Sequence, residues 1–160
     1  MKNSLIIILF IFFFKNLHAE SLLIQSKKIT LDKDKEISIF QNEVFVQSDQ
    51  NHTIESDYAE YNKKKGTIRF KKNVKLVDNK NNIITTDDAE YNEYSKIFKT
   101  TGPTKIVTAE NYIIESKNIF LDKKLDSITS KETTIINDID NNVIKLDNFN
   151  YEKGNKIFKS

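Results

Sequence analysis

From residue 22 onward the chain alternates apolar and polar positions in short runs, and the runs recur. Ile54-Glu55-Ser56-Asp57-Tyr58-Ala59-Glu60-Tyr61-Asn62 and Ile84-Thr85-Thr86-Asp87-Asp88-Ala89-Glu90-Tyr91-Asn92 stand 30 residues apart. One step forward lies Ile114-Glu115-Ser116, a further step reaches Ile144, and a step backward reaches Ile24-Gln25-Ser26. Five isoleucines thus occupy one column, with Ser26, Ser56, Thr86 and Ser116 two places on. A fixed period of this length marks a repeat architecture.

Each period has a second half, in which Val46, Leu76, Ile106 and Ile136 keep the same spacing. Ile37, Ile68, Ile97, Ile128 and Ile157 form a third series with steps of 31, 29, 31 and 29, which we read as turns absorbing single insertions. Asn/Asp/Gly/Lys clusters at 62–66, 78–82, 138–142 and 152–155, and a polar cluster at 48–52, supply turns between the halves. Ile, Val, Thr, Tyr and Phe dominate the runs and no helical periodicity persists, so each period reads as two strands and two turns. Little or no helix is expected after residue 20. The only proline, in Thr101-Gly102-Pro103, falls between two strand halves, where a bulge leaves no ladder bond missing.

Parity adds a constraint. The column at 54 is even-numbered, whereas Ala59/Tyr61, Ala89/Tyr91, Ile119/Leu121 and Phe149/Tyr151 are odd-numbered. A regular strand alternates its faces, so both sets can face inward only if a bulge or bend intervenes near 57–58 and its 30-residue equivalents. The predicted fold is all-β: about nine or ten repeated antiparallel strands folded over into an open β-jelly roll with one apolar interior.

The N-terminus is different in kind. Lys2, the ten apolar residues Leu5–Phe14, and Leu17-His18-Ala19 form the charged, apolar and small-residue regions of a secretory signal peptide, with cleavage expected after Ala19. As a helix the apolar run rises ~15 Å, about half a bilayer core. The domain reading is therefore signal peptide over 1–19 and a single β domain over 20–160, not membrane-spanning once processed. Lys+Arg number 25 and Asp+Glu 23; without residues 1–19, which hold Lys2 and Lys15 and no acid, the balance is 23 against 23. A neutral chain lacks the positive excess of a nucleic-acid binder. With no cysteine, disulfides, thiolate metal sites and a cysteine nucleophile are excluded.

The succession of Ile, a small polar stretch, Asp57-Tyr58-Ala59-Glu60-Tyr61-Asn62, a turn, Ile68-Arg69-Phe70 and Asn73-Val74-Lys75-Leu76, repeated from Asp87-Asp88-Ala89-Glu90-Tyr91-Asn92, resembles the OstA-like repeats of bacterial lipopolysaccharide export over about residues 22–160. That family includes the periplasmic bridge protein LptA, the periplasmic part of LptC and the N-terminal domain of LptD. The third repeat departs from the motif, reading Lys117-Asn118-Ile119-Phe120-Leu121-Asp122. A short apolar segment read as cleaved sets the chain nearer LptA and the LptD domain than an anchored LptC. The resemblance implies a jelly roll open along one seam, no cofactor, a periplasmic location with an outer-membrane association in the LptD-like case, and lipopolysaccharide and related jelly rolls as partners. The chain ends as a strand half begins, which fits a short docking edge or the front piece of a longer LptD-like protein.

On this reading Ile24, Ile54, Ile84, Ile114 and Ile144, with Val46, Leu76, Ile106 and Ile136, are the candidates for lining a path for the acyl chains of lipid A. Read from the residues alone, the same columns describe a filled sandwich core, and the runner-up function is a structural β-repeat scaffold or adhesin-like solenoid. Leu22–Thr30 and Ile157–Ser160 are the candidate edge strands for partner docking, with Leu22, Ile24 and Ile157 the residues to watch. Lys63-Lys64-Lys65 and Lys71-Lys72 read as solvated charge. His52 lies in a polar turn with no second ligand patterned beside it, so no metal site is expected. Asp57, Asp87 and Asp147 invite a paired-carboxylate reading for glycoside hydrolysis, but their recurrence points instead to satisfying backbone groups at the bend. The expectation is a chain that is not an enzyme.

Overall fold

The computed structural model describes residues 22–48, 52–140, 142–155 and 157–160; the expected signal peptide lies outside them. Among the described residues fourteen strands form one antiparallel sheet. They are β1 (Leu23–Gln25), β2 (Lys28–Asp32), β3 (Ile37–Gln47), β4 (Thr53–Asn62), β5 (Thr67–Val77), β6 (Ile83–Asn92) and β7 (Ile97–Val107), followed by β8 (Ile113–Lys117), β9 (Phe120–Asp122), β10 (Ser127–Ser130), β11 (Thr134–Asn137), β12 (Val143–Leu146), β13 (Phe149–Glu152) and β14 (Ile157–Lys159). The count exceeds nine or ten because the bend splits several strands in two: β1 and β2 both pair with β3, and β8 and β9 both pair with β7. No helix among the described residues is long and apolar enough to cross a membrane.

The bend falls where parity requires it. Pairing register shifts between Gln41 and Val44, Glu55 and Tyr58, Lys71 and Val74, and Thr86 and Asp88. At the same level Asn42, Glu43, Lys72, Asn73, Gly102 and Asn118 have positive φ. The result is two leaves sharing the long strands β3–β7. The first leaf holds β1, β8, β11 and β12; the second holds β2, β9, β10, β13 and β14. Between them lies a continuous core that includes Phe40, Val44, Ile68, Phe70, Val74, Phe98, Ile128 and Phe149.

The small column residues have a defined task at the bend. A bulge deprives carbonyls of ladder partners, and hydroxyl donors replace them. Ser26 donates to the Lys28 carbonyl and Ser56 to the Tyr58 carbonyl, each at 3.0 Å, while Thr86 donates to Pro103 at 3.0 Å and Thr104 to Gly102 at 3.2 Å. This duty had been expected of the recurring aspartates. Asp57, Asp87 and Asp147 are instead exposed, and Asp57 accepts from the Asn73 side-chain amide at 2.8 Å. The hydroxyls serve because they stand within reach of these carbonyls; Ser56 and Thr104 are buried, whereas Ser26 and Thr86 are half-buried.

The final Asn or Asp of the repeat caps the outer turns. Asn62, Asn92 and Asp122 accept backbone N–H bonds from residues two or three places on, and Asp32 does so from Lys35. Gly102 is the one bend glycine, at φ +83°, and a Cβ there would meet nothing within 4 Å. Gly102→Ala should therefore cost about 1 kcal/mol by backbone strain alone, read as a lower urea midpoint at unchanged slope.

Candidate functional site

The nine candidate lining residues stand in a single cross-strand row on the inner face of the first leaf. Their pairing runs Ile24 to Val46, Val46 to Ile54, Ile54 to Leu76, Leu76 to Ile84, Ile84 to Ile106, Ile106 to Ile114, Ile114 to Ile136 and Ile136 to Ile144. At ~4.8 Å per strand the row is about 38 Å long. Its middle is closed off from water: Ile84, Ile106 and Ile114 have no exposed surface, and Val46, Ile54, Leu76 and Ile136 are buried. Its ends are not. Ile24 is partly buried and Ile144 is 47% exposed, because β12 pairs with β11 alone among the described residues.

Facing it across the interior is a second row, which the candidate set did not contain. It runs Leu31, Ser38, Tyr61, Ile68, Tyr91, Phe98, Leu121, Ile128, Tyr151 and Phe158 along the second leaf. The signal was present in the odd-numbered apolar pairs, but the third isoleucine series obscured it. Turns do not absorb insertions there; the register stays at 30. Ile37, Ile97 and Ile157 share a row with Asn62 and Asn92 on the outer face, whereas Ile68 and Ile128 point inward. A one-residue step reverses the face of a strand side chain, so the 31/29 series mixes two faces. Ile157 is accordingly 45% exposed on the outside, and its neighbour Phe158 turns inward to stack on Tyr151 at 4.4 Å between ring centroids. Leu22 packs against the core beside the row.

Opposite the bend, the outer turns of the two leaves meet and form the mouth of the fold. A cavity of about 20 Å³ lies just inside it, lined by residues that include Val46, Ser48, His52 and Leu76 from the first leaf and Tyr91, Phe98, Leu121 and Lys123 from the second. That is room for about one water molecule, so the interior is packed. His52, at the end of the polar 48–52 cluster, is buried, at 7% exposed. The Lys123 ammonium lies 5.4 Å from the centroid of the Tyr91 ring. Burial, with Glu93 adding to it, pushes the Tyr91 hydroxyl up to about 12.

Further along the mouth an ionic cluster joins the leaves. Lys153, 2% exposed along its side chain, lies 3.1 Å from Asp78 and 3.0 Å from Asp126, and Lys80 lies 2.5 Å from Asp126. Asp78 also accepts from the backbone and side-chain amides of Asn82 at 2.9 Å. Burial acts to raise the Asp78 carboxyl, but Asn82 and the Lys153 ammonium outweigh it and hold the group below the ordinary carboxylate range. Next to this cluster Tyr151 approaches Glu110, and Tyr112 meets Phe158 edge-on at 5.5 Å.

These contacts are staggered. The 78–82 turn reaches Asp126 and Lys153, and Tyr112 reaches Phe158, so each element of the first leaf meets one later in the second. One leaf therefore overhangs at each end of the trough. Ile29 and Leu31, on inward-facing rows of the second leaf, are 52% and 63% exposed at one end, and Ile144 of the first leaf is exposed at the other.

The family model for lipopolysaccharide-assembly, LptC-related proteins matches residues 19–135. The chain belongs to this family. The match covers β1 to β10 and the first two residues of β11, and with them seven of the nine row residues, Ile24 to Ile114. Among solved structures, LptH of Pseudomonas aeruginosa, described as the LptA-homologous periplasmic component of the lipopolysaccharide transport device, superposes with a TM-score of 0.57. It covers 64% of this chain and 76% of that one at 11% identity, which speaks to the fold. A TCP10 domain of Danio rerio CPAP spans 81% of this chain and 88% of its own at 10% identity, but its TM-score of 0.17 carries no weight. No curated protein matches the chain. An LptC-related role is one in lipopolysaccharide transport rather than catalysis. The expected OstA-like export family is thus the right one, with the LptC-related model the one these residues match.

Proposed function

We propose that this protein works in the periplasm, shielding the acyl chains of lipid A between its two apolar rows while lipopolysaccharide crosses toward the outer membrane. The observation that carries this reading is the row from Ile24 to Ile144: a continuous apolar stripe about 38 Å long, facing a second one, in a sheet folded on one side and meeting only turn-to-turn on the other. Each methylene kept from water is worth ~0.8 kcal/mol, so ten carbons of one chain represent ~8 kcal/mol. Because the interior is packed, the leaves must part at the mouth to admit a chain, exchanging contacts between the rows for contacts with lipid.

The overhanging ends support the second half of the proposal. Ile29 and Leu31 at one end and Ile144 at the other present inward-facing apolar surface beyond the partner leaf. The strands carrying them, β2 and β12, each pair on one side only among the described residues. A neighbouring jelly roll adding a strand at such an edge satisfies the free backbone groups and continues both rows.

Photo-crosslinking to lipopolysaccharide tests the path, with the probe placed in turn at Ile54, Ile84 and the exposed turn residue Lys64. Adducts at both isoleucines and none at Lys64 are the expected result. A folded protein that gives no adduct at either isoleucine has a sealed core, and the structural scaffold then becomes the better account.

A further inference from the structure

Two hydroxyls at the mouth have no partner. Ser48 Oγ and the Tyr91 hydroxyl are both withdrawn from solvent without a hydrogen bond, in residues 7% and 4% exposed. They come from opposite leaves, yet both residues line the same small cavity, between Val46 and Leu76 on one side and Phe98 and Leu121 on the other. Hydroxyls elsewhere in the interior are used: Thr100 bonds Thr104 and Ile119, and Ser116 bonds Ser130 and Thr134. A buried hydroxyl without a partner costs more than the apolar group that could replace it, and phenylalanine or alanine would fill these positions. Two such costs on either side of one cavity, where the apolar rows reach the mouth, mark a place built for an acceptor that arrives from outside.

We infer that Ser48 and Tyr91 form a polar subsite that binds the carbonyl oxygen at the head of an acyl chain, with the hydrocarbon lying inward along the rows. The inference rests on the lipid-carrying reading above and assigns that site its polar anchor. Both hydroxyls donate; the acceptor is an ester or amide oxygen, the group joining an acyl chain to a sugar or glycerol head. The tyrosine keeps its proton at every working pH, since its titration lies near 12. Val46 and Leu76, which border the cavity, belong to the nine-residue row, so a chain anchored here enters the stripe directly. The site can be occupied only when the leaves separate, because about 20 Å³ does not hold a chain.

The test combines stability with binding. Tyr91→Phe and Ser48→Ala each remove a hydroxyl and little else, so both variants should fold and melt ~2–4 °C higher than the parent. Both should bind purified lipopolysaccharide ~10-fold more weakly, the scale of one lost hydrogen bond. A second pair of ligands isolates the carbonyl: a short-chain diacyl phospholipid and its dialkyl ether counterpart, measured against parent and double variant. The parent should prefer the ester-linked lipid and the double variant should not. Preference for lipopolysaccharide over the diacyl lipid would place the recognised carbonyl on the glycolipid, and equal binding would make the subsite a general acyl reader; both support the assignment. Parent-like lipopolysaccharide affinity in both folded variants, or an ester preference that survives in the double variant, overturns the subsite alone. A parent that binds neither lipid class removes the lipid-carrying reading and the subsite with it.

Discussion

Lys153→Met is expected to lower the unfolding free energy by about 3–5 kcal/mol, the loss that follows when one member of a buried ion pair is removed and the other is left uncompensated. The ammonium is 2% exposed and Asp78 has no exposed side-chain surface, so water cannot replace the missing partner. The Asn82 amides remain, which keeps Asp78 hydrogen-bonded but not neutralised. Urea unfolding of parent and variant checks this, with Lys80→Met as the comparison. Lys80 pairs with Asp126 in a half-exposed setting, where a salt bridge is worth about 1 kcal/mol or less. Equal losses in the two variants would mean that burial does not set the strength of the clasp.

The clasp also has a pH signature. Burial pushes Asp126 up, but Lys80 and Lys153 more than offset it, and Asp78 is likewise held below its ordinary value. A carboxyl whose folded value lies below its unfolded one, near 3.8, stabilises the fold above that unfolded value and loses the contribution as pH falls through the folded one. The gap in stability between parent and Lys153→Met should therefore shrink as pH falls, because Asp78 in the variant, its burial no longer offset by the ammonium, takes up its proton at a higher pH than in the parent. A gap that widens with acid would contradict the assignment of Asp78 as an ionised partner.

Ile106→Ala should cost about 2–5 kcal/mol, whereas Ile144→Ala, in the same row, should cost about 1 kcal/mol or less. Ile106 sits between Ile84 and Ile114 with no exposed surface, so truncation leaves a cavity that cannot collapse without shifting two strands. Ile144 is 47% exposed and its removal gives water what it already reaches. Thermal and urea unfolding of the two variants measure the gradient along the row. Equal costs would place Ile144 under cover in solution, as docking of a second copy at β12 would achieve.

Much of this architecture is legible in the repeat. A step of 30 residues with period-2 alternation yields strands, turns and the mismatch in parity that demands a bend, and each is a local property of the chain. Ser26 and Ser56 show the limit: their spacing is visible, but their bonds to the Lys28 and Tyr58 carbonyls depend on a bulge that exists only once neighbouring strands pair. The isoleucine series through Ile37, Ile97 and Ile157 shows another. Near-regular spacing reads as turns absorbing single insertions, whereas the pairing register is constant and places three of the five outside.

By itself, then, the sequence determined the all-β class, the 30-residue repeat, the inward column from Ile24 to Ile144 and the level of the bend, because side-chain alternation and turn chemistry act over a few residues. Only the tertiary structure decided that nine column residues form one row, that Phe98, Leu121 and Phe158 oppose it, and that Lys153 meets Asp78 across 75 positions of sequence. The stagger of the leaves, which bares Ile29, Leu31 and Ile144, and the convergence of Ser48 with Tyr91 on one cavity belong to the same class. They follow from how two folded leaves lie against each other, and no local pattern encodes that offset.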